Sequence, residues 1–212
     1  MWAFFNDEYS RNFKMIKSEL IDFIKEHSDR EIYYKYLIGQ EVWYFKNNEQ
    51  NHSEIYDEFK KFISNKLDIP FNNIAIVGSA KTKFSFSPSK KFKKFGETSD
   101  LDLIIVSKYY YKKIWSAYRK IAQESYLHDF MSKTGNIFNG FIGIKDTDNT
   151  YGNQDLIDWQ RLVRTFKTEL QLKFNITHEI NYRIYADWES VQDYHMRGIN
   201  KLKEGLVKNE IN

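Results

Sequence analysis

IAIVGSA at positions 74–80 and TSDLDLIIVS at 98–107 are the two most strand-like runs of the chain. Ile74–Val77 is β-branched and apolar and stops at Gly78, which predicts a buried strand with a sharp turn behind it. Leu101–Val106 predicts a second strand. It is preceded and entered by two acids, Asp100 and Asp102, spaced i, i+2. Side chains alternate along a strand, so both carboxylates fall on one face while Leu101, Leu103 and Ile105 anchor the other in a core.

Outward from this pair the pattern is helical on both sides. Before it, Phe13, Ile16, Leu20, Phe23 and Ile24 recur at three- and four-residue steps. Asp29 is the expected cap of a second helix through Ile32, Tyr36, Val42 and Phe45, and Asn47–Asn51 is a polar break. Ser53 is the expected cap of a third helix carrying Ile55, Tyr56, Phe59, Ile63 and Leu67, which must stop before Pro70. After the pair, helices are expected over 109–123 and 155–172, and from Asp187 onward. Strands are expected over 138–144 and 179–185. In the latter, Ile180, Tyr182 and Ile184 face one way and Glu179, Asn181 and Arg183 the other. Strands separated by helices predict an α/β (α+β) fold with a mixed sheet flanked by helices. The expected division is residues 1–70 as a helical extension packed on the core and 71–212 as the core with its C-terminal helix.

Two neighbouring carboxylates repel, so one or both resist ionisation. A hard divalent cation removes that conflict, because it takes oxygen ligands and keeps positions open for phosphate. Gly78 lets the backbone approach a phosphate closely, and Ser79 adds a hydroxyl and an N–H at the same turn. The strand–Gly-Ser, spacer, Asp-x-Asp order resembles the nucleotidyltransferase superfamily that includes polymerase β. In flavour it is nearest to small bacterial nucleotidyltransferase-domain proteins of toxin–antitoxin and anti-phage systems. The resemblance covers about residues 70–110 closely and 70–200 loosely.

That resemblance implies a magnesium-dependent nucleotidyltransferase, with Mn²⁺ as the substitute ion and a nucleoside triphosphate as substrate. The acceptor it implies is an RNA, such as a tRNA 3′ end, or a protein hydroxyl. Asp100 and Asp102 match the metal-binding acids, and Gly78 and Ser79 match the phosphate-gripping pair. The family expects a third carboxylate on a later strand. Glu179 is the acid available there for metal or base duty, with Asp146 and Asp148 as fallbacks, and Asn181 is its neighbour on the same face. A set lacking the third acid would instead make a nucleotide- or nucleic-acid-binding module.

Between Ser79 and Asp100 lie 20 residues, and KTKFSFSPSKKFKKFGE (81–97) within them holds six lysines and one acid, a local charge of +5 in a chain of net charge +3. Lys81 and Lys83 are the lysines nearest the Gly-Ser turn and the candidates to screen phosphates. Lysines interleaved with Phe84, Phe86, Phe92 and Phe95 fit either single-stranded nucleic acid held by charge and stacking or a flap whose rings pack on the body.

Composition excludes several classes. The chain has no cysteine, which removes disulfides, thiol nucleophiles and cysteine metal sites and suits a reducing, cytoplasmic setting. The longest apolar run is the five residues Met1–Phe5, whereas a membrane span needs about 20. The start MWAFFNDEYS has no basic stretch of the secretory kind. The five histidines show no metal-ligand spacing. His195 is expected at the edge of the core, and Arg183 in an ion pair with Glu179 on its strand face in preference to a substrate contact. Aromatics reach 17% of the chain, so rings are expected to build much of the core.

Overall fold

A computed structural model describes residues 16–46, 51–208 and Ile211. Phe13 and Asn47–Gln50 of the sequence reading lie outside the described residues. In chain order the helices are α1 (Lys17–Glu26), α2 (Asp29–Ile32) running into a π-helical stretch Tyr33–Ile38, α3 (Trp43–Lys46), α4 (His52–Leu67), the short α5 (Ser79–Thr82), α6 (Lys108–Glu124), α7 (Phe130–Phe138), α8 (Gln154–Lys173) and α9 (Trp188–Val207). The strands are β1 (Ile74–Val77), β2 (Leu101–Val106), β3 (Phe141–Ile142) and β4 (Ile180–Tyr185). They form one mixed sheet in the order β1-β2-β4-β3, with β1 and β3 antiparallel to their neighbours and β2 parallel to β4. The fold is therefore α+β with helices flanking the sheet, as the alternation of patterns predicts. Among the described residues no helix is long and apolar enough to cross a membrane.

Strand alternation divides the core into two sides. Ile74, Ile76, Leu101, Leu103, Ile105, Ile180 and Ile184 face one way, with Phe59 and Ile63 of α4, Ile114 and Tyr118 of α6, and Val163 and Phe166 of α8. Ala75, Val77, Ile104, Val106 and Tyr185 face the other way, with Val191 of α9. A separate cluster joins α1 and α2 to α9 through Leu20, Ile24, Ile32, Ile199 and Leu202. Side-chain caps explain where the later helices begin. Ser107, Asn153 and Asp187 accept from the backbone N–H groups of Tyr110 (3.3 Å), Asp155 (3.0 Å) and Ser190 (2.8 Å). α4 ends at Leu67 with Asp68 left-handed (φ 50°), two residues before Pro70.

Four expectations need correction. The second helix is capped by Ser28, not Asp29, in a capping box with Glu31, and it does not run on to Phe45. Its π-helical end gives way at Gly39, where a Cβ would lie 2.7 Å from the Lys35 carbonyl oxygen. Ser53 lies inside α4, which starts at His52. The strand expected over 138–144 is reduced to Phe141–Ile142, because Phe138 closes α7 and Gly140 turns the chain at φ +80° against Ser190. Sequence periodicity did not disclose α7: Phe130, Met131 and Phe138 are exposed and the helix buries no residue.

Candidate functional site

The antiparallel register sets Val77 opposite Asp102, so Gly78 follows directly beside the acid. Gly78 adopts φ 71° and ψ −156°, a region essentially reserved for glycine. A Cβ built there would lie 2.9 Å from Asp102 Oδ2. The turn is closed by the Gly78 carbonyl, which accepts from Lys81 N (3.1 Å), Thr82 N (3.2 Å) and Thr82 Oγ1 (3.1 Å). Ser79, half-buried, opens α5 at this turn. The Gly-Ser bend and the acid strand are thus in contact, as the sequence order suggests.

Asp100 stands exposed just before β2, and Asp102 is half-buried within it. Burial raises the Asp102 carboxyl above the usual aspartate range. Arg183 opposes that shift, Asp100 adds to it, and Lys90 opposes it. Neither acid has a hydrogen-bond or ion-pair partner among the described residues.

The parallel register brings Asn181 level with Asp102. Glu179 precedes β4, its carbonyl accepting from Leu101 N at 2.8 Å, which puts it level with Asp100. Its carboxylate, however, pairs with the buried Lys167 of α8, whose ammonium also lies 3.9 Å from Asp146. Asp148 pairs with Lys133 of α7 at 3.3 Å and accepts from Lys145 N at 3.2 Å. No third acid joins Asp100 and Asp102: among the described residues no group of three acids or histidines is gathered for a metal.

Of these groups Asp102, Asn181, Glu179, Lys167, Asp146, Asp148 and Lys133 line a cleft of about 980 Å³, while Asp100, Gly78 and Ser79 stand outside its lining. Asp102, Asn181 and Arg183 lie on one sheet face, and α7, the 143–148 segment and α8 supply the further charged lining residues Lys133, Asp146, Asp148 and Lys167. Arg183 does not pair with Glu179. Its guanidinium lies 5.3 Å from the Phe141 ring centre and 5.4 Å from that of Tyr194.

Lys81 is not in this cleft. Its buried ammonium donates to the Gly39 carbonyl beside a separate cavity of about 70 Å³. Burial, then Lys60, lower it to about 8 against the opposing Glu41. Lys83 takes a left-handed turn (φ 64°), and its carbonyl accepts from Phe95 N at 2.8 Å. The rings of the spacer pack inward: Phe84, Phe92 and Phe95 are buried and Phe86 packs on them or their neighbours. Of the two readings of this segment, the packed flap is the one the rings follow, and Lys90, Lys91, Lys93 and Lys94 remain on its exposed surface.

Two buried polar positions of α8 escaped the sequence reading: Lys167, which lines the cleft, and Gln160, which donates to the Lys145 and Asp148 carbonyls of the segment that borders it. Gln160 and Lys167 sit one heptad apart on the buried face of α8, among Leu156, Val163 and Leu170. Polar residues in the apolar stripe of an amphipathic helix were the readable signal.

His195 is in the packed position expected. Its Nε2 is buried without a hydrogen-bond partner among the described residues, as is Tyr185 Oη. Burial, then Arg183, lower the imidazole to about 4. The unfolded chain therefore binds a proton that the fold excludes between about pH 6.5 and 4. This group costs the fold nothing above about pH 6.5; stability is lost as the pH falls from there to about 4, by up to about 3 kcal/mol, and no further below it. Urea midpoints should fall from pH 7 to pH 5, and His195→Phe should flatten that slope. An unchanged slope in the variant would refute the assignment.

The chain matches no protein family, no curated protein and no solved structure.

Proposed function

We propose that this chain is a nucleotidyltransferase-like protein that binds a nucleoside triphosphate with Mg²⁺ (or Mn²⁺) in the cleft and transfers a nucleoside monophosphate to an RNA or protein hydroxyl. The observation that carries the reading is the contact between the Gly78 bend and Asp102, where only a missing side chain keeps the space beside the carboxylate open. The donor set suits a hard divalent cation. Asp100 and Asp102 supply oxygens with no competing partner, Asn181 offers an amide oxygen level with Asp102, and the glycine cradle leaves the approach clear. When bound, such an ion neutralises phosphate charge and polarises the phosphoryl group. The chain's own residues then have defined tasks. Asp100 and Asp102 hold the ion, Gly78 and Ser79 offer backbone and hydroxyl to the phosphates, and Glu179 takes the acceptor proton once it leaves Lys167. A cytoplasmic setting and a defence or toxin–antitoxin context accompany this reading through the family resemblance alone.

A second reading, binding without transfer, has its own observation. Asn181 occupies the register position beside Asp102, and Glu179 is neutralised by Lys167. An amide in place of a carboxylate fits a nucleotide-sensing or partner-neutralising module.

Calorimetric titration with each of the four NTPs, with Mg²⁺ and with EDTA, tests what the two readings share. We expect Mg²⁺-dependent binding of at least one NTP and at least a tenfold loss in Asp102→Asn. Because the carboxyl is raised, the cation-dependent part should disappear on acidification above the usual aspartate range. Incubation with α-labelled NTP and total RNA or protein then separates them. Label transfer with pyrophosphate release supports the first, binding without either supports the second, and no cation-dependent binding defeats both.

A further inference from the structure

Five cations border the cleft, and their partners differ. Lys133 pairs with Asp148 at 3.3 Å, Lys167 pairs with Glu179, and Arg164 donates to the Asp146 carbonyl at 3.1 Å. Lys145 is exposed at the rim. Arg183 is half-buried on the floor, and among the described residues its guanidinium meets no acceptor and no carboxylate within ion-pair distance. What it does meet is aromatic: the Phe141 and Tyr194 rings, themselves edge-on with centres 5.0 Å apart. Rings hold a guanidinium in place by cation–π attraction without consuming its N–H donors.

The position is as informative as the partners. Arg183 lies two residues beyond Asn181 on β4, about 7 Å along the strand from the level of Asp102. Both side chains point to the same sheet face, and Arg183 draws the Asp102 carboxyl downward without forming an ion pair. A nucleotide's phosphate chain stays anionic after one divalent cation has bound it, so a site with acids at one end needs a cation farther along. The spacer does not supply it through Lys81, whose ammonium is turned to Gly39.

We propose that Arg183 is the anion-binding residue of the cleft, its fork receiving phosphate oxygens of a polyphosphate whose cation-bearing end lies at Asp102. The identity of the ligand as a nucleotide rests on the function proposed above; the anion site does not. Planar bidentate recognition of phosphate is the task for which a rigid guanidinium is better suited than an ammonium.

The test uses inorganic tripolyphosphate in EDTA, so that no cation and no nucleoside contributes, alongside ATP with Mg²⁺. Wild type should bind tripolyphosphate without metal. Arg183→Gln should weaken that binding about ten- to hundredfold, as loss of a charged hydrogen-bond pair would, and Arg183→Lys should restore part of it. Asp102→Asn should leave it unchanged or tighten it, since a repelling charge is gone. In the unaltered protein, phenylglyoxal should modify Arg183, and tripolyphosphate should block the reaction. That readout does not depend on any variant folding. The proposal is overturned if wild type fails to bind tripolyphosphate, if Arg183→Gln binds it equally, or if the label on Arg183 is not protected. Should Arg183→Gln lose tripolyphosphate while Asp102→Asn keeps full affinity for ATP with Mg²⁺, the anion site stands and the cation reading falls.

Discussion

Gly78→Ala is expected to cost about 1–3 kcal/mol of stability and to remove cation-dependent nucleotide binding. The first effect is local. At φ 71° and ψ −156° an L side chain occupies a region that costs of order 1–3 kcal/mol. In a chain of this size each kcal/mol lowers the melting temperature by about 2–4 °C. The second effect comes from the neighbour. The new Cβ would stand 2.9 Å from Asp102 Oδ2, closer than carbon and oxygen tolerate, so the carboxylate must rotate away or the β1–β2 pairing must slip. Either response moves the acid from the position that the proposed cation needs. A double-mutant cycle with Asp102→Ala separates the two effects, since only the contact disappears when the carboxylate is removed. Thermal melting and calorimetry with ATP and Mg²⁺ provide the readout. A variant that melts like wild type and binds like wild type would show that the bend and the acid do not act together.

Gly78 and Asp102 also show why this part of the site was legible in the sequence. A run of four apolar residues ending in glycine, and a second apolar run entered by alternating acids, fix two strands and the end of the sheet at which polar groups collect. Both strands formed with the expected limits. The partners of the acids depend on information with no local signature. Whether Glu179 or Asn181 stands beside Asp102 is decided by the parallel register between residues nearly 80 positions apart in the chain. That Glu179 turns to Lys167 depends on how α8 crosses the sheet. The flap shows the same division. Its lysines were readable as charge, yet Phe84 and Phe92 went into the α1–α2–α9 cluster and Phe95 into the main core, destinations set by tertiary packing. For Arg183, alternation gave the correct face, while the choice between Glu179 and an aromatic sandwich required Tyr194 from α9 to be in place.

The relation of the N-terminal helices to the sheet leads to the largest stability effect we expect, from Phe59→Ala. β1 is an edge strand, and an uncovered edge is a template for unwanted pairing. Here α4 covers it. The Ile76 backbone N–H, in the middle of β1, donates to Tyr56 Oη at 3.1 Å. Phe59 is fully buried one turn farther along α4, with ring centres 5.4 Å from both Phe45 and Phe174. It therefore joins α3, α4 and the segment after α8 beneath the sheet that carries Asp102. Truncating a buried phenylalanine costs about 3–5 kcal/mol, from lost burial and the cavity left behind, which corresponds to a fall of roughly 6–20 °C in melting temperature. Because α4 shares the main core with β1 and β2, the loss should appear as one cooperative transition shifted as a whole, seen alike by far-ultraviolet circular dichroism and tryptophan fluorescence. If helices α1–α4 were merely attached to an independent core, the two probes would separate and the melting of the sheet would stay where it is in wild type. Coincident, lowered transitions would show that the acid strand depends on residues before position 70 for its stability, so that a fragment beginning at β1 could not keep Gly78 and Asp102 together.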